Sequence, residues 1–190
     1  MLMHTHEARL DALRKQLARQ NLDGFVIPIS DEHMSEYVGG YAQRLAWLTG
    51  FGGSAGTAVV LKDSAAMFVD GRYTLQVRDQ VDGRLWDYQS VPQTSVARWL
   101  GENAPAGARI GYDAWLHGKP WVDAARKALA ENGGELVAVT ANPVDAVWQD
   151  RPEPSEAPAA VHATEHAGRS SQEKRAKIAE WLGEKSSARW

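Results

Sequence analysis

Gly50-Phe51-Gly52-Gly53-Ser54-Ala55-Gly56-Thr57-Ala58-Val59-Val60-Leu61-Lys62-Asp63-Ser64-Ala65-Ala66-Met67-Phe68-Val69 is the stretch on which the fold turns. Its second half holds two apolar runs, Thr57 to Leu61 and Ala65 to Val69, joined by Lys62-Asp63-Ser64, which is the pattern of a β-hairpin. Its first half is rich in glycine and runs straight into the hairpin, so it reads as a turn that brings the backbone close to a sheet. Two functional readings of it fail on context. Gly52-Gly53-Ser54-Ala55-Gly56 has the spacing of a nucleophile elbow, and Gly50 to Ala55 that of a dinucleotide fingerprint, but both motifs need a strand before and a helix after. Here a helical turn precedes and a strand follows. No Gly-Lys-Ser/Thr completes a phosphate-binding loop.

Upstream of the hairpin, Leu10, Leu13 and Leu17 recur at helical spacing between Glu7 and Gln20, with Thr5 placed to cap. Phe25 to Ile29 is a short apolar strand, followed by a polar loop with Asp31, His33 and Tyr37 and a helical turn from Arg44 to Leu48. Downstream, Asp70-Gly71-Arg72 turns the chain into a helix from Tyr73 to Val81, with Asp70 able to accept its first free N–H groups. Leu85 to Ser90, Arg109 to Tyr112 and Leu136 to Thr140 read as strands. Ser95 to Asn103 and a segment opened by Pro120 and stopped at Asn132-Gly133-Gly134 read as helices. Helices interleaved with strands and one hairpin predict an α/β fold, a mixed β-sheet flanked by helices, over residues 1–150.

Residues 150–158, Asp-Arg-Pro-Glu-Pro-Ser-Glu-Ala-Pro, have linker composition, and Ser171 to Gly183 follows as one charged amphipathic helix. A single helix cannot bury its own apolar face, so residues 151–190 are expected to be a linker and the first helix of an incomplete second domain. The 21 Lys and Arg against 24 Asp and Glu leave a net charge of −3, without the basic field that draws nucleic acid or anionic lipid. There is no Cys, which removes disulfides and thiolate chemistry and suits a reducing compartment. No apolar run approaches the ~18 to 20 residues of a membrane span, and the first residues lack the pattern of a secretory signal. Eight Trp point to a well-packed core or an aromatic contact surface.

No metal centre is predicted. His4 and His6 lie near the terminus, His162 and His166 lie in the linker with Glu165, and Asp113 and Asp123 form only a loose pair. The candidate polar cluster near turns is Asp31, His33, Tyr37, Arg44, Asp70 and Arg72, with Tyr73 beside it. Arg44 could present its guanidinium to a carboxylate ligand or pair internally with Asp31 or Asp70.

Four blocks then carry a resemblance: Asp31 to Tyr37, Arg44 to Ala58, Ala66 to Tyr73 and Val144 to Pro152. In order and spacing they resemble the N-terminal domain of aminopeptidase P, the Xaa-Pro aminopeptidase of the three-domain cytosolic type. The resemblance covers about residues 1–155, and 156–190 resemble the start of that family's middle domain. It implies a creatinase/prolidase-type N-terminal domain with a ribonuclease H-like motif, a similar second domain and a C-terminal "pita-bread" domain. The last holds two metal ions, usually manganese, on Asp, Asp, His, Glu and Glu, and the enzyme removes a residue that precedes a penultimate proline. None of those five ligands maps onto this sequence. The resemblance therefore implies a non-catalytic, cytoplasmic lobe near the active-site mouth, restricting peptide access, in a homodimeric parent. On this reading the six polar residues form an edge facing absent middle and catalytic domains. One departure is Gln43 before Arg44, where related sequences commonly have two Arg. The alternatives are a stand-alone peptide-binding module and a serine hydrolase using Ser54.

Overall fold

Apolar side chains alternate between two faces along each central strand, and that alternation builds the fold. In this computed structural model, which describes residues 5–184, β1 (Gly24–Pro28), β2 (Thr57–Leu61) and β3 (Ala65–Val69) are buried almost throughout. Phe25, Ile27, Ala58, Val60, Met67 and Val69 enter one core. Val26, Val59, Leu61, Ala66 and Phe68 enter the other. Strands buried on both faces need helices on both, which is why these runs are continuously apolar.

The first core is closed by α1 (His6–Arg19), α2 (Arg44–Thr49), α3 (Gln76–Gln80) and, later in the chain, a short helix Pro143–Val147. The second is closed by α4 (Val96–Asn103) and α5 (Lys119–Ala130). Capping follows the sequence: the Thr5 side chain accepts from the Ala8 N–H, and that of Ser95 from the Arg98 N–H. The sheet is completed by β4 (Asp87–Ser90), β5 (Arg109–Tyr112) and β6 (Glu135–Ala138), in the order β4-β3-β2-β1-β5-β6. Gly111 in β5 is required by packing, since a Cβ there would sit 2.8 Å from both Leu22 and Phe25.

Strand direction positions everything that follows. β2 is antiparallel to β1 and to β3, whereas β3 runs parallel to β4, and β1 parallel to β5 and β5 to β6. Five strands therefore point the same way and β2 alone runs back. The chain leaves β1, β3, β4, β5 and β6, and enters β2, at one end of the sheet.

The sequence reading differs from the structure at several elements. The helix expected over 73–81 is split into a 3-10 turn, Gly71–Tyr73, and α3. The helix Pro143–Val147, α6, was not anticipated, although Asn142 followed by Pro143 is a helix-start signature and the Asn142 side chain does accept from Val144 N–H. The linker holds a four-residue helix, α7 (Thr164–Ala167). The chain divides into two compact units, Met1–Pro154 and Ser155–Trp190. In the second, α8 (Ser171–Glu184) opens with a capping box, the Ser170 hydroxyl accepting from Glu173 N–H and the Glu173 carboxylate from Ser170 N–H. Its Ile178 and Trp181 are exposed.

Candidate functional site

At the shared strand ends the connecting segments are tied together. After β1, the Ser30 hydroxyl donates to the Leu116 carbonyl beyond β5, at 2.8 Å. Beyond β5, Asp113 accepts from Trp115 N–H and from the side chain of Asn142, which follows β6. The same end carries the glycine-rich turn before β2 and Asp70-Gly71-Arg72 after β3. In sheets of parallel strands this is the end at which ligands and partner groups are met.

The structure places the six candidate residues unevenly. Asp31 is buried, and its carboxylate accepts the backbone N–H groups of His33 (3.0 Å) and Ser35 (2.9 Å), which folds the loop. Burial alone would raise this carboxyl, but the bonds from Ser35 and His33 outweigh it and hold the group below its ordinary value. His33 and Tyr37 are exposed on that loop, His33 beside Glu32, which also accepts from Tyr41. Asp70 and Arg72 pair with each other at 2.8 Å on the surface, and that pairing lowers the Asp70 carboxyl below its usual value.

Of the two openings left for Arg44, a carboxylate ligand or an internal pair, the structure shows an internal pair, with a partner that is neither Asp31 nor Asp70. Arg44 is buried, and its guanidinium grips Asp145 of α6 with two bonds, 2.7 and 2.9 Å. Asp145 also meets Arg151 at 2.8 Å, and Arg151 donates to the Tyr41 carbonyl. Trp47 and Trp148 stack with centroids 5.3 Å apart. This clamp fastens the segment 143–151 across α2. Sequence reasoning missed Asp145 because it lies 101 residues from Arg44. Asp123, weighed above with Asp113 as a metal pair, is engaged by Lys119.

Beside the clamp, a cleft of about 290 Å³ opens between the loop after β1 and the glycine-rich turn. Ile29, Val38, Leu45 and Phe51 supply its apolar lining, with Glu36, Tyr37, Gln43 and Ser54 as its polar members. The turn is held rigidly: Gly52 N–H donates to the Gln80 side chain, Phe51 N–H to Thr49 Oγ1, and Ser54 N–H to the Tyr73 hydroxyl. Ser54 Oγ lies 2.8 Å from the same hydroxyl. Hydrogen bonds from the Ser54 hydroxyl and N–H lower the Tyr73 phenol below its usual value. Gly53 packs against the Phe51 and Tyr73 rings, leaving no room for a Cβ. Among the described residues no His or carboxylate hydrogen-bonds to Ser54, so the base-and-orienter geometry of a serine nucleophile is not assembled.

The described residues also contain no group of three or more His, Asp or Glu placed to hold a metal ion. They do not fit a dinuclear centre. His4 lies outside the described residues.

A mixed sheet of this order, with helices on both faces and five of its six strands ending on one side, defines the class of lobe. A model of the creatinase/prolidase N-terminal domain matches residues 9–151, and the chain belongs to that family. Its relatives are Xaa-Pro aminopeptidases. It is 41% identical over 168 residues to Xaa-Pro aminopeptidase 2 of Sus scrofa, covering 88% of this chain and 25% of that protein. Among solved structures, the X-prolyl aminopeptidase of Caenorhabditis elegans, described as a cytosolic enzyme with a di-nuclear active site, matches at TM-score 0.82 and 30% identity. That match covers 97% of this chain and 32% of the other. The N-terminal domain of the cytoplasmic peptidase PepQ from Mycobacterium tuberculosis H37Rv matches at TM-score 0.55 and 28% identity, over 74% of this chain and 98% of that one. The chain spans about a quarter of the length of the curated relatives it matches. No helix among the described residues is long and apolar enough to cross a membrane.

Proposed function

We propose that this chain serves as the non-catalytic N-terminal lobe of an Xaa-Pro aminopeptidase. It presents the strand-end face of its sheet to middle and catalytic domains and narrows peptide access there. The observation that carries this reading is where apolar surface is left uncovered. Among the described residues of the first unit, the exposed large apolar side chains are Met34, Tyr37, Leu75 and Trp115. All lie in segments leaving β1, β3 and β5 at the same end of the sheet. Exposed apolar groups gathered in this way mark a contact face.

In this reading Tyr37, His33 and the Asp70–Arg72 pair are the polar members of the face. Asp31 and Arg44 act from beneath it, the first shaping the loop and the second bracing α2. The peptide-bond chemistry, at two metal ions such as manganese, belongs to the catalytic domain of a cytoplasmic, homodimeric parent.

The reading is tested by replacing the N-terminal domain of the Caenorhabditis elegans enzyme with residues 1–154 of this chain and then introducing Tyr37→Ser with Trp115→Ser. The expected result is an active chimera in which the double substitution changes the ratio of kcat/KM for a long Xaa-Pro peptide over a tripeptide. An unchanged ratio in a folded, active chimera refutes the reading.

A further inference from the structure

The cleft beside the glycine-rich turn has features that domain packing does not explain. Gly52 forms part of its wall, yet a Cβ there would meet nothing closer than the Gln80 side-chain oxygen at 3.8 Å. Nor does Gly52 adopt a left-handed backbone, unlike Gly50, whose φ of 84° closes α2. Neither crowding nor conformation requires glycine at 52. What glycine provides is bare backbone facing open space, where another chain can approach closely.

The charge around the cleft is one-sided. From Asp31 to Gln43 the chain carries Asp31, Glu32 and Glu36 and no Lys or Arg. Asp31 is occupied by backbone N–H groups and Glu32 by the Tyr41 hydroxyl. Glu36 lines the cleft, exposed. The neighbouring Arg72 lies within electrostatic reach of Glu36, but its guanidinium is held by Asp70 in a two-pronged pair that adds no net charge, so the rim stays acidic. Beneath the rim lies the apolar floor of Leu45 and Phe51.

We infer that this cleft is a docking subsite for a cationic peptide segment. One apolar side chain seats over Phe51 and Leu45, an adjacent Lys or Arg meets Glu36, and the peptide backbone passes along Gly52. The inference rests on the strand-end face being the working face, but not on any catalytic domain, so it is read on this chain alone.

The test uses fluorescently labelled tetrapeptide amides at low ionic strength, followed by anisotropy: Gly-Phe-Lys-Gly, Gly-Phe-Glu-Gly and Gly-Ser-Lys-Gly. The Phe-Lys peptide is expected to bind about fivefold tighter than the Phe-Glu peptide, the size of an exposed ion pair, and salt is expected to erase the difference. Glu36→Gln is expected to remove that preference. Ala46→Phe, which fills the cleft, is expected to abolish binding while the circular dichroism spectrum stays unchanged. No binding at millimolar peptide, equal binding of the Lys and Glu peptides, equal binding of the Ser and Phe peptides, or binding that survives Ala46→Phe in a folded variant would each overturn the proposal. Loss of binding here leaves the peptidase chimera unaffected, so the two readings fail separately.

Discussion

Removing Asp145 isolates the clamp that fastens the end of the first unit to its core. In Asp145→Ala the Arg44 guanidinium, its side chain only 7% exposed, loses both of its bonds to carboxylate, and its Nη1 already has no hydrogen-bond partner. Arg151 loses its ion pair in the same step. A charge left unpaired at such depth typically costs 3–5 kcal/mol. Because the Asp145 side chain is 24% exposed, water reaches part of the site and the lower end, about 3 kcal/mol, is expected. Urea unfolding followed by tryptophan fluorescence suits the measurement, since Trp47 and Trp148 stack beside the pair. The double variant Arg44→Met with Asp145→Leu removes both charges and is expected to recover most of the loss, because an apolar replacement is often close to neutral. A loss below about 1 kcal/mol in Asp145→Ala, or a double variant no better than the single, refutes the account of Arg44 as a buried, paired charge.

Further outcomes follow from the loops. Gly111→Ala forces a Cβ to 2.8 Å from Leu22 and Phe25 and is expected to cost roughly 1–3 kcal/mol in the same unfolding assay. Tyr73→Phe leaves Ser54 N–H and Oγ without their shared partner and is expected to cost about 1 kcal/mol by thermal unfolding. The Asp31 carboxyl is held below its ordinary value in the folded chain, so its stabilising contribution is complete above its unfolded pKa of about 3.9 and is lost as pH falls through the folded value. The stability gap between the parent and Asp31→Ala is therefore expected to narrow below about pH 4 in urea midpoints taken across pH. Asp82 is lowered to about 2 by its hydrogen bonds with the Arg84 side chain and backbone. An NMR titration is expected to find that midpoint, and Arg84→Ala to move it up towards 3.8.

The architecture was legible where local chemistry decides it. The apolar runs of β1 to β3, the Lys62-Asp63-Ser64 turn and the caps at Thr5 and Ser95 each act over a few residues, and each appears in the structure as read. The helix at Pro143 shows the same kind of signal in Asn142, but five residues are too few to display a period. The candidate site was harder. The loops that carry most of its polar residues share one end of the sheet because β2 alone runs back, so β1 and β3 end on the same side, which is a property of pairing and not of any one segment. The partner of Arg44 is set by tertiary packing across 101 residues. Asp31 stands in a polar stretch of sequence, yet its short side chain turns back onto the loop's own N–H groups, a choice that composition does not reveal.

The division of labour between a supporting lobe and a separate catalytic domain is tested most directly by incubating the purified chain with manganese and an Xaa-Pro peptide and following release of the first residue by mass spectrometry. The account predicts release at the rate of the protein-free blank. Sustained release above that blank, proportional to the amount of this chain and abolished by a chelator, would contradict it.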